Sequence, residues 1–195
     1  MRVLVTGFEP FGDHTVNPSQ RIVEHLADDP TFHGHTAVLP TVFSRAGQRI
    51  VSLISELRPD RVLCLGVGNG GEIRLERIAV NVDDARMADN DGDRRAGVSI
   101  VDNGPMAYAS SLPLDAMLAA LQQHGIPSRI SNHAGTYVCN HVFYQARHAV
   151  TSLGLSTECG FVHVPRIQPS ACPDGLPLAV MREAIARCLG VGTAV

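Results

Sequence analysis

The sequence predicts an α/β fold built on a mostly parallel sheet. Short, almost uniformly apolar runs at Arg2–Gly7, Arg61–Leu65 and Gly160–Val164 have the composition of strands covered on both faces. They alternate with segments whose apolar residues recur at helical spacing, and there are no internal repeats or low-complexity stretches. With 195 residues, 45% hydrophobic and 18% charged, the chain suffices for a single domain over 1–195 with a sizeable core.

Charge and composition narrow the function classes. Sixteen basic and nineteen acidic residues give a net charge of −3 without a polybasic run, which argues against nucleic acid or an anionic membrane as partner. Met1–Thr6 is too short for a signal-peptide core, and no stretch approaches the ~20 apolar residues of a membrane span, so a cytoplasmic protein with a small-molecule or peptide partner is expected. The five cysteines (Cys64, Cys139, Cys159, Cys172 and Cys188) are odd in number and form no C-x-x-C. This argues against a disulfide framework and a structural zinc site, and neither metal nor cofactor is expected.

The elements follow from local signals. The strand Arg2–Gly7 runs into Phe8-Glu9-Pro10-Phe11-Gly12, a loop of the kind that builds sites at strand ends. Asn17 caps a helix with Pro18 at its first position and Ile22, Val23 and Leu26 as its apolar stripe. Thr36–Val42 reads as a strand. Ser44 is placed to cap a helix carrying Ile50, Leu53, Ile54 and Leu57 on one face, which Pro59 stops. Leu112–His124 is a helix ended by Gly125 and Pro127, Ser128–Ser131 a strand, and Pro177–Leu189 a last helix.

Two loops invite ligand readings. Gly66-Val67-Gly68-Asn69-Gly70-Gly71 satisfies G-x-G-x-x-G directly after a strand, but a dinucleotide site needs a helix to start within the motif, and residues 73–82 alternate as strands do. Asp83–Pro105 is a long polar connection. Its Asp89–Asp93 run lacks the first acid of a calcium loop, where Met87 stands, and the closing Glu, so a solvated turn is expected.

The chemistry concentrates in Ser131–Val150. After the turn Ala134-Gly135-Thr136, the residues Val142, Phe143, Ala146, Ala149 and Val150 have helical spacing, which puts Cys139 in the first turn of a helix. Free N–H groups and the positive dipole end there favour a thiolate, the nucleophilic form of cysteine. Buried cysteines more often serve as small hydrophobes, so position alone leaves the role open. A cysteine nucleophile needs a histidine within reach and a group to orient it. His141 points to another side of the helix, and His148 lies nine residues on, roughly 13 Å along the axis at 1.5 Å per residue. His163, at the end of the following strand, is the geometric favourite, because parallel strands deliver their C-terminal ends to one crevice. Glu76 stands in the apolar alternating segment Leu75–Asn81, where it is either the orienting acid or an exposed residue paired with Arg77.

Four blocks resemble the pyroglutamyl peptidase I family of cytoplasmic cysteine peptidases. They are Val5–Gly12 with Asn17–Ser19, Leu75–Asn81 leading to Asp83–Arg86, Ala134–Tyr144, and Gly160–Pro165, and together they span nearly the whole chain. The resemblance implies a three-layer α/β/α sandwich, a Glu76, Cys139, His163 triad, and oxyanion stabilisation by Arg86 and the Cys139 backbone N–H. It also implies a pyroglutamyl pocket formed by Phe8, Phe11, Thr41, Met87, Tyr137 and Val138, and it suggests a homo-oligomer. The activity implied is that of an omega peptidase, which removes an N-terminal pyroglutamyl residue from blocked peptides through an acyl-enzyme. Three departures concern substrate recognition: Val67 stands where the family usually has glutamine, the following glycine-rich loop is one residue short and lacks an arginine, and Arg166 replaces an aromatic. They keep open a diverged or inactive member that binds another blocked peptide or small ligand. A cysteine amidotransferase is disfavoured, because its His-x-Glu pair would need an acid where Pro165 stands.

Overall fold

The computed structural model describes residues 1–168 and 174–191. In chain order its elements are β1 (Val3–Phe8), α1 (Pro18–Asp28), β2 (His35–Leu39), α2 (Phe43–Leu57), β3 (Arg61–Val67), β4 (Ile73–Glu76), β5 (Ile78–Val80), β6 (Ala107–Ala109), α3 (Leu114–Gln123), β7 (Ser128–Ser131), α4 (Val138–Ser152), β8 (Glu158–Val164) and α5 (Leu178–Gly190). Six strands form one sheet in the order β2-β1-β3-β8-β4-β7, and β5 pairs with β6 in a small antiparallel ribbon. The first four strands of that order run parallel, whereas β4 is antiparallel to β8 and parallel to β7. The predicted α/β class with a mostly parallel sheet is the observed one.

Side-chain alternation builds three layers. Leu4, Phe8, Val62, Cys64, Cys159 and Phe161 face one way, into a core closed by Phe43, Ile50 and Ile54 of α2 and Val142, Phe143 and Ala146 of α4. Val3, Val5, Leu63, Leu65, Val162 and Val164 face the other way, against Ile22 of α1, Met117 of α3 and Met181 of α5. Four described cysteines (Cys64, Cys139, Cys159 and Cys188) are free thiols, and Cys172 lies outside the described residues.

The local signals acted mostly as expected. Asn17 caps α1, its Oδ1 accepting the Ser19 N–H at 3.0 Å, and Pro18 occupies the first turn. Two readings need correction. The strand at residue 36 ends at Leu39, because Pro40 offers no N–H to the ladder. Ser44 does not cap α2: it is exposed inside the helix, and the Phe43 N–H donates instead to Asp89 Oδ2 at 2.9 Å. Asp89 is therefore buried, and its Oδ1 also accepts the Asp91 and Asp93 N–H groups at 3.0 and 2.9 Å. The acidic turn is solvated only at its tip, while its first carboxylate supplies a helix cap from 46 residues away.

Candidate active site

Strand parity brings the catalytic candidates to one face. Ile73 and Leu75 point into the core of α1, α3 and α5, so Arg74 and Glu76 point to the α4 side, as do Phe161 and His163 of β8. Antiparallel pairing sets Arg74 opposite His163 and Glu76 opposite Phe161, which makes His163 and Glu76 diagonal neighbours. The His163 Nδ1 to Glu76 Oε1 distance is 2.7 Å, with both residues buried. A carboxylate only accepts, so Nδ1 carries the proton and Nε2 is left to accept one.

Cys139 enters from above this face. It is the second residue of α4, whose cap residue Tyr137 provides no side-chain hydrogen bond to the first turn. On the other flank of β8, Gly66 of β3 is in register with His163. A Cβ on Gly66 would lie 2.8 Å from Cys139 Sγ and 2.8 Å from the Phe161 ring, so glycine makes room for the sulfur over the strand beside His163. Gly68 is constrained in the same way, since a Cβ there would collide with the Arg74 guanidinium and approach His163 Cβ to 3.1 Å. The two glycines that opened the nucleotide-loop pattern thus accommodate Cys139, Arg74 and His163, and a strand, β4, follows them.

Burial decides the protonation states. It pushes the Cys139 thiol up to about 12, the Glu76 carboxylate adds to the rise, and Arg74 only partly opposes it. Burial likewise pulls His163 below its ordinary value against the favourable pull of Glu76, and Arg74 adds to the lowering. Desolvation thus opposes the thiolate that the helix N-terminus was expected to favour. The resting pair is a neutral thiol and a neutral imidazole with a free acceptor nitrogen.

Arg74 is the site residue that sequence reasoning missed. It reads as the outward half of an alternating strand, yet this strand is covered on both faces. Its side chain is 21% exposed, with Nε 3.9 Å from Glu76 Oε1. A cation facing His163 disfavours the imidazolium, so removing it raises the pKa of the base. Because the neutral base is the working form, Arg74→Met should move the acidic limb of the kcat/KM pH profile to higher pH. An unmoved limb would reduce Arg74 to a packing residue.

A small cavity beside Cys139 is lined by Phe8, Phe11, Asn17, Thr41, Val67, Tyr137 and Val138. Five of these seven are the expected pocket residues, and a sixth is Val67, which stands where the family usually has glutamine. Asn17, read only as a helix cap, is the addition. The walls are cross-braced: Thr41 Oγ1 donates to the Glu9 carbonyl at 2.9 Å, and Phe11 and Phe43 meet the Tyr137 ring with centroids 6.1 and 5.4 Å away. Met87 does not line the cavity; it is 46% exposed and lies near Gly12. Arg86 is exposed in a segment held over the start of α4, where the Asp84 N–H donates to the Thr136 carbonyl at 3.0 Å and the Tyr137 hydroxyl to the Ala88 carbonyl at 3.0 Å. His141 and His148 stand apart, hydrogen-bonded to Asp83 and Tyr108 at 2.8 and 2.9 Å.

Comparison with known proteins places this geometry. The profile of the pyroglutamyl peptidase family matches residues 1–192. A pyrrolidone-carboxylate peptidase of Brevibacillus brevis is 40% identical over 190 residues, covering 96% of this chain and 88% of that protein. One from Bacillus cereus is 38% identical over 201 residues, covering 99% and 93%. The crystal structure of pyrrolidone carboxyl peptidase from Pyrococcus furiosus superposes with a TM-score of 0.92 at 36% identity, covering 98% of this chain and 97% of that one. That of Bacillus amyloliquefaciens pyroglutamyl peptidase I gives 0.89 at 33%, covering 96% and 94%. The chain belongs to the pyroglutamyl peptidase family.

Proposed function

We propose that this cysteine-type pyroglutamyl peptidase uses Cys139 as nucleophile, His163 as general base and acid, and Glu76 to orient His163. The observation that carries the reading is the buried His163–Glu76 hydrogen bond at 2.7 Å, on the strand beside the glycine that makes room for the Cys139 sulfur. Nε2 of His163 takes the thiol proton as sulfur attacks the pyroglutamyl carbonyl, so charge separates only as the bond forms. Glu76 stabilises the imidazolium, which then protonates the departing amine. Water, deprotonated in turn by His163, cleaves the thioester and releases pyroglutamate. The Cys139 backbone N–H, in the uncapped first turn of α4, supports the oxyanion, and we assign Arg86, exposed on the segment over the start of α4, to join it there once substrate is bound.

The cavity supports the substrate class. A lactam has no ammonium group, so it suits walls of Phe8, Phe11, Tyr137 and Val138 with amide and hydroxyl partners from Asn17 and Thr41. Val67 offers no amide to the ring. We take the natural substrates to be N-terminally blocked peptides met in the cytoplasm, by one domain that needs neither nucleic acid nor membrane and assembles as a homo-oligomer. Among the described residues no helix is long and apolar enough to cross a membrane.

Paired substrates test the reading. Burying a charged ammonium without a partner costs several kcal/mol, so a pyroglutamyl amide should be hydrolysed at least about 100-fold faster than the matching glutaminyl amide. Equal turnover would rule out the lactam pocket, and no hydrolysis of either in reducing buffer would mark the chain as an inactive binder.

A further inference from the structure

Phe11 and Val67, which line the cavity at Cys139, also wall a neighbouring groove of about 450 Å³. We infer that this groove is a subsite for the leaving peptide and that it selects a carboxylate on the first or second residue after the scissile bond; the inference rests on the assignment of Cys139 and His163 above. The side of the groove follows from the strands. Val67 pairs with Val164 in register, one position beyond the Gly66–His163 pair, so the shared wall lies toward the base that protonates the leaving nitrogen. Phe8, Tyr137 and Val138, which enclose the blocked residue, do not line the groove.

The chemistry of the groove follows from its charge. Arg166 comes three residues after His163, about 10 Å away at ~3.3 Å per extended residue, a span that one peptide residue with its side chain can cover. Its Nη2 lies 3.4 Å from His14 Nε2, and both side chains belong to exposed residues lining the groove. Among the described residues none that line the groove is acidic, and no carboxylate forms an ion pair with Arg166. A guanidinium without a carboxylate, in a groove otherwise walled by Phe11, Val16 and Val67 and set in a chain of net charge −3, is complementary to one anionic group on an otherwise apolar residue. Three of the positions at which this chain differs from the family pattern (Val67, the shortened loop at Gly68 and Asn69, and Arg166) meet here.

The test compares four substrates, pGlu-Asp-NH2, pGlu-Ala-OH, pGlu-Ala-NH2 and pGlu-Lys-NH2, on the protein and on its Arg166→Gln variant. The protein should favour a carboxylate over the neutral amide by about 2- to 5-fold in kcat/KM, the range of a solvent-accessible ion pair, and should disfavour the lysine substrate. Preference for pGlu-Asp-NH2 identifies a side-chain carboxylate as the ligand, and preference for pGlu-Ala-OH a terminal one. The ratio of carboxylate to neutral substrate should fall to about one in Arg166→Gln, and in the unaltered protein it should shrink as salt rises from 0.05 to ~0.5 M. A ratio that persists in the variant, a ratio insensitive to salt, or equal rates for aspartate and lysine would overturn the inference. Hydrolysis of pGlu-Ala-NH2 by the unaltered protein reports separately on the peptidase assignment.

Discussion

Cys139→Ala should lower kcat/KM for pyroglutamyl amides by at least about 10⁴-fold, with the fold intact. No second thiol of the described residues takes over: Cys64 and Cys159 are fully buried in the sheet and Cys188 is buried on α5, burial pushes Cys64 and Cys188 up to about 12 and Cys159 well above its ordinary value, and none of the three lines the cavity. Loss of one sulfur at a partly exposed position should change the melting temperature little, so activity and stability separate cleanly. Hydrolysis by the alanine variant at the unaltered rate would end the cysteine-peptidase mechanism.

The second large effect concerns the base. Because the resting thiol is raised to about 12, almost no thiolate exists at neutral pH without a proton acceptor, so His163→Ala should cost about as much as loss of the nucleophile. The double variant Cys139→Ala, His163→Ala should then be little worse than either single one, since the two groups act as a unit. Glu76→Gln should cost less, about 10²- to 10⁴-fold. It keeps an acceptor near His163 Nδ1 but removes the charge that stabilises the imidazolium. His163→Ala also strands the Glu76 carboxylate, whose Oε2 already has no hydrogen bond among the described residues, so melting temperatures must accompany these rates. Additive losses in the double variant, or a silent Glu76→Gln, would contradict the coupled site.

Much of this was legible in the sequence because periodicity reports which face a residue occupies. The apolar runs located β1, β3 and β8, the spacing after Thr136 put Cys139 in the first turn of α4, and the order of strand ends selected His163. Alternation does not report direction. That β4 runs antiparallel to β8, carrying Glu76 down to Phe161 instead of to the crevice rim, is decided by the two chain segments that pack beside each other. Arg74 was hidden for a related reason: an alternating strand suggests a polar outer face, but here that face is the covered one that carries Glu76 and His163. The cap of α2 by Asp89 joins residues 46 apart and leaves no local trace. The opposing influence on the thiol was not legible because a helix terminus is visible in sequence, whereas the desolvation that works against it is a tertiary quantity.

Active-site labelling tests most directly whether Cys139 is the nucleophile at a pyroglutamyl pocket. A pyroglutamyl chloromethyl ketone places its ketone where the scissile carbonyl would lie and its chloromethylene carbon one bond beyond, so displacement of chloride by a thiol held at that carbonyl marks the attacking group. The account predicts loss of activity in step with one label per chain, mapped by peptide mass spectrometry to Cys139 and blocked by excess pyroglutamyl amide. The labelling rate should fall at acid pH as His163 takes up a proton, because the neutral imidazole is the base that removes the thiol proton. Inactivation with the label on any other residue, or full labelling of Cys139 with activity retained, would contradict it.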